Sequence, residues 1–304
     1  MKRIYIVFSV LLTLACGSSE EQQRQQRRAD IVAEQQADSA ALKIGVMPTL
    51  DCLPIFLADR HGLFEREGLS VRLKCFQAQM DVDTAMQRGR VEAIVTDLVR
   101  AERMQQRGTP LRYATSTNLA WQLVTNPQAR IKRLDQLDDK MIAMTRYSAT
   151  ALLADYAVDS VKLASERVYH IQVNDVSVRL NMLENNIIDA FLFPEPQATT
   201  ARNRKSPVLM DSRQLGQCYG VIAFSEKALK NVERQQQMNI FLKVYDMACD
   251  SLNNHGLSAY RDLIAACCHV EAETVDSLPA DIRFAHAAAP RQVDIERAKK
   301  WLKK

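Results

Sequence analysis

Three carboxylates, Asp51, Asp97 and Glu195, each stand at the end of an apolar run, beside a helix-forming stretch or a proline. The same run ends carry the hydroxyls of Thr49, Thr96, Thr145 and Ser148 and the amides of Asn118 and Asn174. They also carry the guanidinium of Arg146 and the rings of Trp121 and Tyr147. A carboxylate in a cleft accepts hydrogen bonds from amine, amidine-like or hydroxyl donors. An arginine beside a helix start favours an acidic group, and an indole is a platform for a flat or cationic molecule. This is the chemistry of recognition, and its mixed charge suits a zwitterion or a neutral aromatic heterocycle. The chain has no nucleophile elbow, phosphate loop or metal motif, and its cysteines and histidines lack metal-ligand spacing. No catalytic residue, metal or cofactor is expected.

The elements that must position these residues alternate. Leu42–Met47 is an apolar run, followed by the loop Pro48–Asp51, a helical stretch Leu53–Arg60, a strand Ser70–Phe76, a helix to Gly89 and a strand Ala93–Asp97. A helix Val99–Gln106 and a strand Leu111–Ser116 come next, and Asn118–Thr125 continues extended. The alternation then repeats. Strand Met141–Met144, loop Thr145–Ser148, helix Ala149–Leu163, strand Val168–Val173, helix Asp175–Glu184 and strand Asp189–Phe193 lead into Pro194-Glu195-Pro196. Pro207–Met210 is a short strand and Tyr219–Phe224 a return crossing. Helices Ala228–Leu252, Ser258–Cys267 and Val293–Leu302, with a short piece at 272–277, are expected to pack on the first lobe.

The pattern predicts an α/β fold of two lobes, each a mainly parallel sheet flanked by helices, joined by two hinge crossings. Lobe 1 takes residues 42–120 and 222–304, and lobe 2 residues 121–221. Ligands of such sheets sit beyond the carboxyl ends of the strands, where the polar residues above gather. Each residue also has a structural use. Asp51, Asp97 and Ser148 precede helices and are natural N-caps, which leaves ligand contact open. Trp121 on a crossing can pack the lobes together, and Glu195 can end its strand as a solvated carboxylate.

Residues 1–16 have the form of an export signal: Lys2 and Arg3, then the apolar stretch Ile4–Leu14, too short to span a bilayer as a helix. Ala15, Cys16 and Gly17 resemble a bacterial lipoprotein signal, whose cysteine is acylated, although Thr13 and Leu14 depart from its usual residues. Residues 17–41, rich in Glu, Gln, Arg and Ala, read as a flexible polar tether, with a short helix as the alternative. The net charge of +4 comes from scattered basic residues, so nucleic-acid binding is not supported. Besides Cys16 the cysteines are Cys52, Cys75, Cys218, Cys249, Cys267 and Cys268. Pairing of Cys52 with Cys75, or of Cys249 with Cys267 or Cys268, stays open beside the reading of buried small hydrophobes.

The spacing from Pro48 through Leu57-Ala58 and Gly62-Leu63-Phe64 to Gly68-Leu69 resembles the solute-binding proteins of bacterial ABC importers, in the branch handling sulfonates, nitrate and thiamine-pyrimidine precursors. Asp189-Ala190-Phe191 leading to Glu195-Pro196 resembles the same family. The likeness implies the type 2 periplasmic-binding fold and a small-molecule ligand held in the cleft. It also implies an ABC permease with its ATPase as partners, a monomeric chain, and export with a lipid anchor facing the periplasm or cell exterior. An enzyme on the same fold, acting in menaquinone- or thiamine-precursor metabolism, is the alternative, as is a sensory or surface lipoprotein without a permease. Replacing Cys16 with serine is expected to move the protein from the detergent-extracted membrane fraction to the soluble one and to abolish fatty-acid labelling. Unchanged labelling of that variant would exclude Cys16 as the acylated residue.

Overall fold

Among the described residues ten strands form two sheets of five with the same internal order. The computed structural model describes residues 23–28, 32 and 40–303; the signal at 1–16, with Cys16, lies outside the described residues. Within the polar segment 17–41, residues 23–28 are helical and exposed, as the helix-forming composition allows. Among the described residues no helix is long and apolar enough to cross a membrane.

The first sheet runs β2 (Val71–Cys75), β1 (Leu42–Val46), β3 (Ala93–Asp97), β10 (Gly220–Ser225), β4 (Leu111–Ser116). The second runs β7 (Val168–Gln172), β6 (Lys140–Met144), β8 (Ala190–Pro194), β5 (Trp121–Thr125), β9 (Val208–Asp211). In each sheet one strand opposes its neighbours. β10 is antiparallel to β3 and β4, and β5 is antiparallel to β8 and β9. Those are the two strands reached by a crossing from the other sheet, so the sheets are mainly parallel with one reversed strand each.

Both faces of the sheets are covered, which is why the central strands read as unbroken apolar runs rather than alternating ones. In β8, Phe191 and Phe193 face one cluster with Val124, Ala143 and Val176, while Ala190 and Leu192 face the main core. This is the two-residue period of a strand with two buried sides. The main core runs through both sheets, from Ile44 and Ile94 to Trp121, Leu123 and Ile142.

Helix boundaries shift at several ends. The expected helix Ala228–Leu252 is Val232–His255, because the Asn231 side chain accepts a 2.8 Å bond from Glu233 N and starts it there. Helix Ala149–Ser160 stops three residues before Leu163, where Lys162 takes a positive φ of 56°. Ser258–Cys267 divides into a turn, Leu257–Tyr260, and a helix, Arg261–Cys268. The C-terminal helices do pack on the helix Leu53–Arg60, but Gln292–Trp301 contacts both Leu98–Gln106 and Ala149–Ser160. Trp301 Nε1 donates to Asp155 at 2.8 Å and ties this last helix to the second lobe. All six described cysteines are free thiols, so neither contemplated pairing is formed.

Gly220 opens β10 where the other crossing passes. A Cβ there would stand 2.2 Å from Thr117 Oγ1 and 2.5 Å from Leu119 Cβ. Gly220→Ala is therefore expected to lower unfolding stability in urea by about 1–3 kcal/mol and to displace the 117–119 segment. Wild-type stability in that variant would mean the crossing yields more freely than its packing indicates.

Candidate functional site

The loops after β1, β3, β6 and β8 meet between the sheets, and the lobes touch there through specific bonds. Leu50 N donates to Glu195 O at 2.9 Å, and Gln197 Nε2 donates to Pro48 O at 2.9 Å. Arg103 lies over the Tyr147 ring, 3.6 Å from its centroid. Ala78 and Asp175 form an isolated antiparallel bridge, and Asn174 Nδ2 reaches Met80 Sδ at 3.0 Å. The cleft is shut.

Asp97 makes the most consequential of these contacts. Its Oδ1 accepts from Arg100 N at 3.0 Å, capping the helix Leu98–Gln106 of its own lobe. The same oxygen accepts from Ala149 N, also at 3.0 Å, at the start of the opposite lobe's helix Ala149–Ser160. The capping and cleft readings of Asp97 thus both hold in geometry, with a backbone N–H of the chain as the group across the cleft. Oδ2 has no hydrogen-bond partner, although it is buried. Burial pushes this carboxyl up to about 6, against the opposing pull of the Arg100 charge and the two N–H groups. Ser148 caps its helix as expected, its Oγ accepting from Thr150 N at 3.1 Å, and Thr145 is fully buried beside it.

Behind these contacts lies a closed inner chamber of about 20 Å³, the room of a single water molecule. Its polar walls are Thr49, Asp51, Gln79 and Thr96; Trp121, Leu119 and Val176 are among its apolar walls. Four sequence-predicted residues, Thr49, Asp51, Thr96 and Trp121, therefore come together. Asp51 does not cap the next helix, whose first flanking residue is Cys52. Instead its Oδ2 accepts from Thr117 Oγ1 at 3.2 Å, and its Oδ1 is buried with no partner. Burial raises the pKa of this carboxyl, and the Thr49 and Thr117 hydroxyls only partly offset it.

An outer cavity of about 260 Å³ shares Asp51 and Leu119 with the chamber. Asn118 and Glu195 line it, together with Arg213, Asp281 and Arg283, none of which the sequence pattern indicated. Glu195 is already engaged. Its Oε2 accepts from Thr199 N and Thr199 Oγ1 at 3.0 and 2.7 Å, and its Oε1 accepts from Arg202 Nη1 at 2.9 Å. The Glu195–Pro196 bond is cis.

Arg146 and Tyr147 are exposed and lie outside both cavity walls, and Asn174 sits half-buried at the rim with Met80. A buried cation that these residues do not include is Arg179, on the helix Val176–Glu184. Fully buried, it donates to Val173 O, Leu192 O and Thr145 Oγ1 at 2.7, 2.8 and 2.5 Å. Burial lowers its pKa to about 9, with Asp175 opposing. Its helix carries Ser177, Arg179, Asn181 and Glu184 among apolar residues, so no periodicity marks which polar side chain turns inward.

Residues 35–259 match the model of the NMT1-like family. The alkanesulfonate-binding protein SsuA of Xanthomonas axonopodis pv. citri, bound to MOPS, is similar in structure with a TM-score of 0.72 at 16% identity, covering 86% of this chain and 91% of that one. The aliphatic sulphonate-binding protein SsuA of Escherichia coli gives 0.68 at 18% identity, covering 87% of each chain. The nitrate-binding protein NrtA of Synechocystis PCC 6803 gives 0.68 at 12%, covering 82% of this chain and 74% of that one. At these identities the likeness establishes the two-lobe periplasmic-binding fold. No curated protein sequence matches the chain.

Asp97 gives this geometry a pH signature. Its carboxyl titrates at about 6 in the folded chain and at about 3.9 in an unfolded one. The folded state holds the extra proton between those values, so this group's contribution to stability falls as pH rises through the window. Asp97→Asn keeps the acceptor for Arg100 and Ala149 but cannot ionise. Relative to wild type it is expected to gain up to about 3 kcal/mol between pH 4 and 6 and to hold that lead above 6. Urea titrations at stepped pH measure it, and a difference that stays flat from pH 4 to 7 would contradict the burial argument.

Proposed function

The chain belongs to the NMT1-like family, and from that premise we propose that it is the solute-binding component of an ABC importer. It captures a small organic molecule between its lobes and presents it to a permease and ATPase. It is exported and held at the membrane by a lipid on Cys16, and it acts as a monomer without catalysis. The ligands considered are a thiamine-pyrimidine-like heterocycle and a sulfonate or other oxyanion.

The observation that carries this reading is the shut cleft. Bonds from four loops close the lobes over a chamber of about 20 Å³, whereas pockets for small organic ligands commonly run to hundreds of Å³. A ligand therefore enters only when the lobes part, and it is retained when they close on it. The energy for that cycle is the ligand's preference for the closed form over the open one. The binding residues proposed are Thr49, Asp51, Thr96, Asp97, Asn118 and Trp121 on the first lobe and its crossing, with Thr145, Ser148 and Glu195 opposite. Arg146, Tyr147 and Asn174 complete that set at the rim, where they bear on closure.

A thermal-shift survey of the purified protein across pyrimidines, amines, sulfonates and oxyanions tests the proposal. A cognate ligand at one hundred times its Kd adds about 2.7 kcal/mol of stability, which a melting curve resolves. Silence across every class would remove the receptor reading. Turnover of a bound compound in a single-turnover assay would replace it with an enzyme.

A further inference from the structure

Trp301, one of two tryptophans in the chain, ends the last helix. Its indole N–H donates to the Asp155 carboxylate of the other lobe at 2.8 Å. Neither residue lines the inner chamber or the outer cavity, so ligand capture leaves this contact unexplained.

The path that brings Trp301 there follows the hinge. The segment before the helix lies along the end of β4, where Ser116 N donates to Ala288 O at 2.8 Å and Ala288 N to Thr115 Oγ1 at 3.0 Å. Ser116 leads directly into the first crossing, in which Asn118 Nδ2 donates to Arg283 O at 3.3 Å. Arg291 Nη2 then donates to Gly216 O at 2.5 Å, on the return connection between β9 and β10. Asp294 is fully buried and accepts from Arg291 Nε and Arg297 Nη1, each at 2.6 Å, which fixes the first turn of the helix Gln292–Trp301 at that point. Both crossings therefore hold the root of this helix.

From that root the helix reaches over both lobes. Ile295, Ala298, Trp301 and Leu302 recur at three- and four-residue spacing and give it one apolar face against the main core. It contacts Leu98–Gln106 of the first lobe and Ala149–Ser160 of the second. Those are the two helices whose first turns share Asp97 Oδ1. Asp155 lies roughly 9 Å along the second of them from Ala149. His170 on β7 faces it within its own lobe, with Nδ1 3.6 Å from Asp155 Oδ1.

Resting on the receptor reading only in that the lobes part, we propose that the C-terminal helix is a strap across the hinge. Its Trp301–Asp155 bond is made in the shut form and broken in the open one, so it sets how readily the empty protein opens. When the lobes part, Asp155 moves with the second lobe, while Trp301 stays with the hinge and the first. A hydrogen bond to a carboxylate that exists in one of two states biases the equilibrium toward that state.

The Ala149 N–H reports the shut form. As the first residue of its helix it has no intrahelical acceptor, and its partner is Asp97 Oδ1 across the cleft. Its hydrogen–deuterium exchange, resolved by NMR on the ligand-free protein, measures the open population. Trp301→Phe keeps an aromatic ring and removes the N–H. It is expected to speed exchange at Ala149 roughly 3- to 10-fold while amides within β1 and β8 keep their rates. Asp155→Ala removes the acceptor instead and is expected to act alike; a rise in only one of the two variants would mean that this bond does not hold the lobes. Faster exchange confined to residues 292–302, with Ala149 unchanged, would overturn the strap and leave the receptor reading standing. An equal rise at Ala149 and within β1 and β8 would overturn it as well, as a loss of global stability. If Ala149 in the wild type exchanges only as slowly as the sheet interiors, the lobes do not part, and both readings fall.

Discussion

One carboxylate oxygen, Asp97 Oδ1, is shared by the first turns of two helices that belong to different lobes. It stands 3.0 Å from Arg100 N on one side and 3.0 Å from Ala149 N on the other. Helix N-termini carry unsatisfied N–H groups and partial positive charge, so a buried negative group between two of them is better placed than in any single cap. Even so, its carboxyl is raised to about 6, which shows that desolvation outweighs both donors. The contact is therefore weak as a source of stability and strong as a specification of geometry, since only the shut arrangement brings Ala149 to Asp97.

The other features of the cleft follow from that placement. With the lobes drawn together at Asp97, Leu50 reaches Glu195 and Gln197 reaches Pro48. Trp121 and Leu119, on the first crossing, are enclosed between the sheets with Thr49, Asp51 and Thr96. The Arg202 guanidinium neutralises Glu195 inside its own lobe. Asp51 Oδ2 accepts from the Thr117 hydroxyl at 3.2 Å, and its buried Oδ1 has no hydrogen-bond partner.

Much of this is legible in the sequence. The alternation of Leu42–Asp97 and its echo from Met141 to Phe193 follow from buried parallel strands needing apolar residues on both faces. Asp97 and Ser148 were legible as caps because a short polar side chain before a helix has a local reason to be there. The interlobe role of Asp97, by contrast, depends on where Ala149 lies in space, and nothing local encodes that. Asp51 looked like a cap from spacing alone, but a single turn at Leu50–Cys52 intervenes and turns it to Thr117 instead. Arg179, Gln79 and Arg283 gave no signal, because one inward polar residue on a mixed helix or loop leaves the periodicity unchanged. Arg146 is a charge beside a helix start, yet its side chain is exposed, and the first N–H of that helix is met by Asp97.

The central claim is that the lobes close around a small molecule in the space that Asp51 and Trp121 line. A crystal structure of the protein purified with whatever it retains from its host tests this most directly. The account predicts electron density for a small molecule between the lobes, beside Asp51 and Trp121, in a chamber widened beyond about 20 Å³. Density for a ligand seated outside the interlobe space would contradict it.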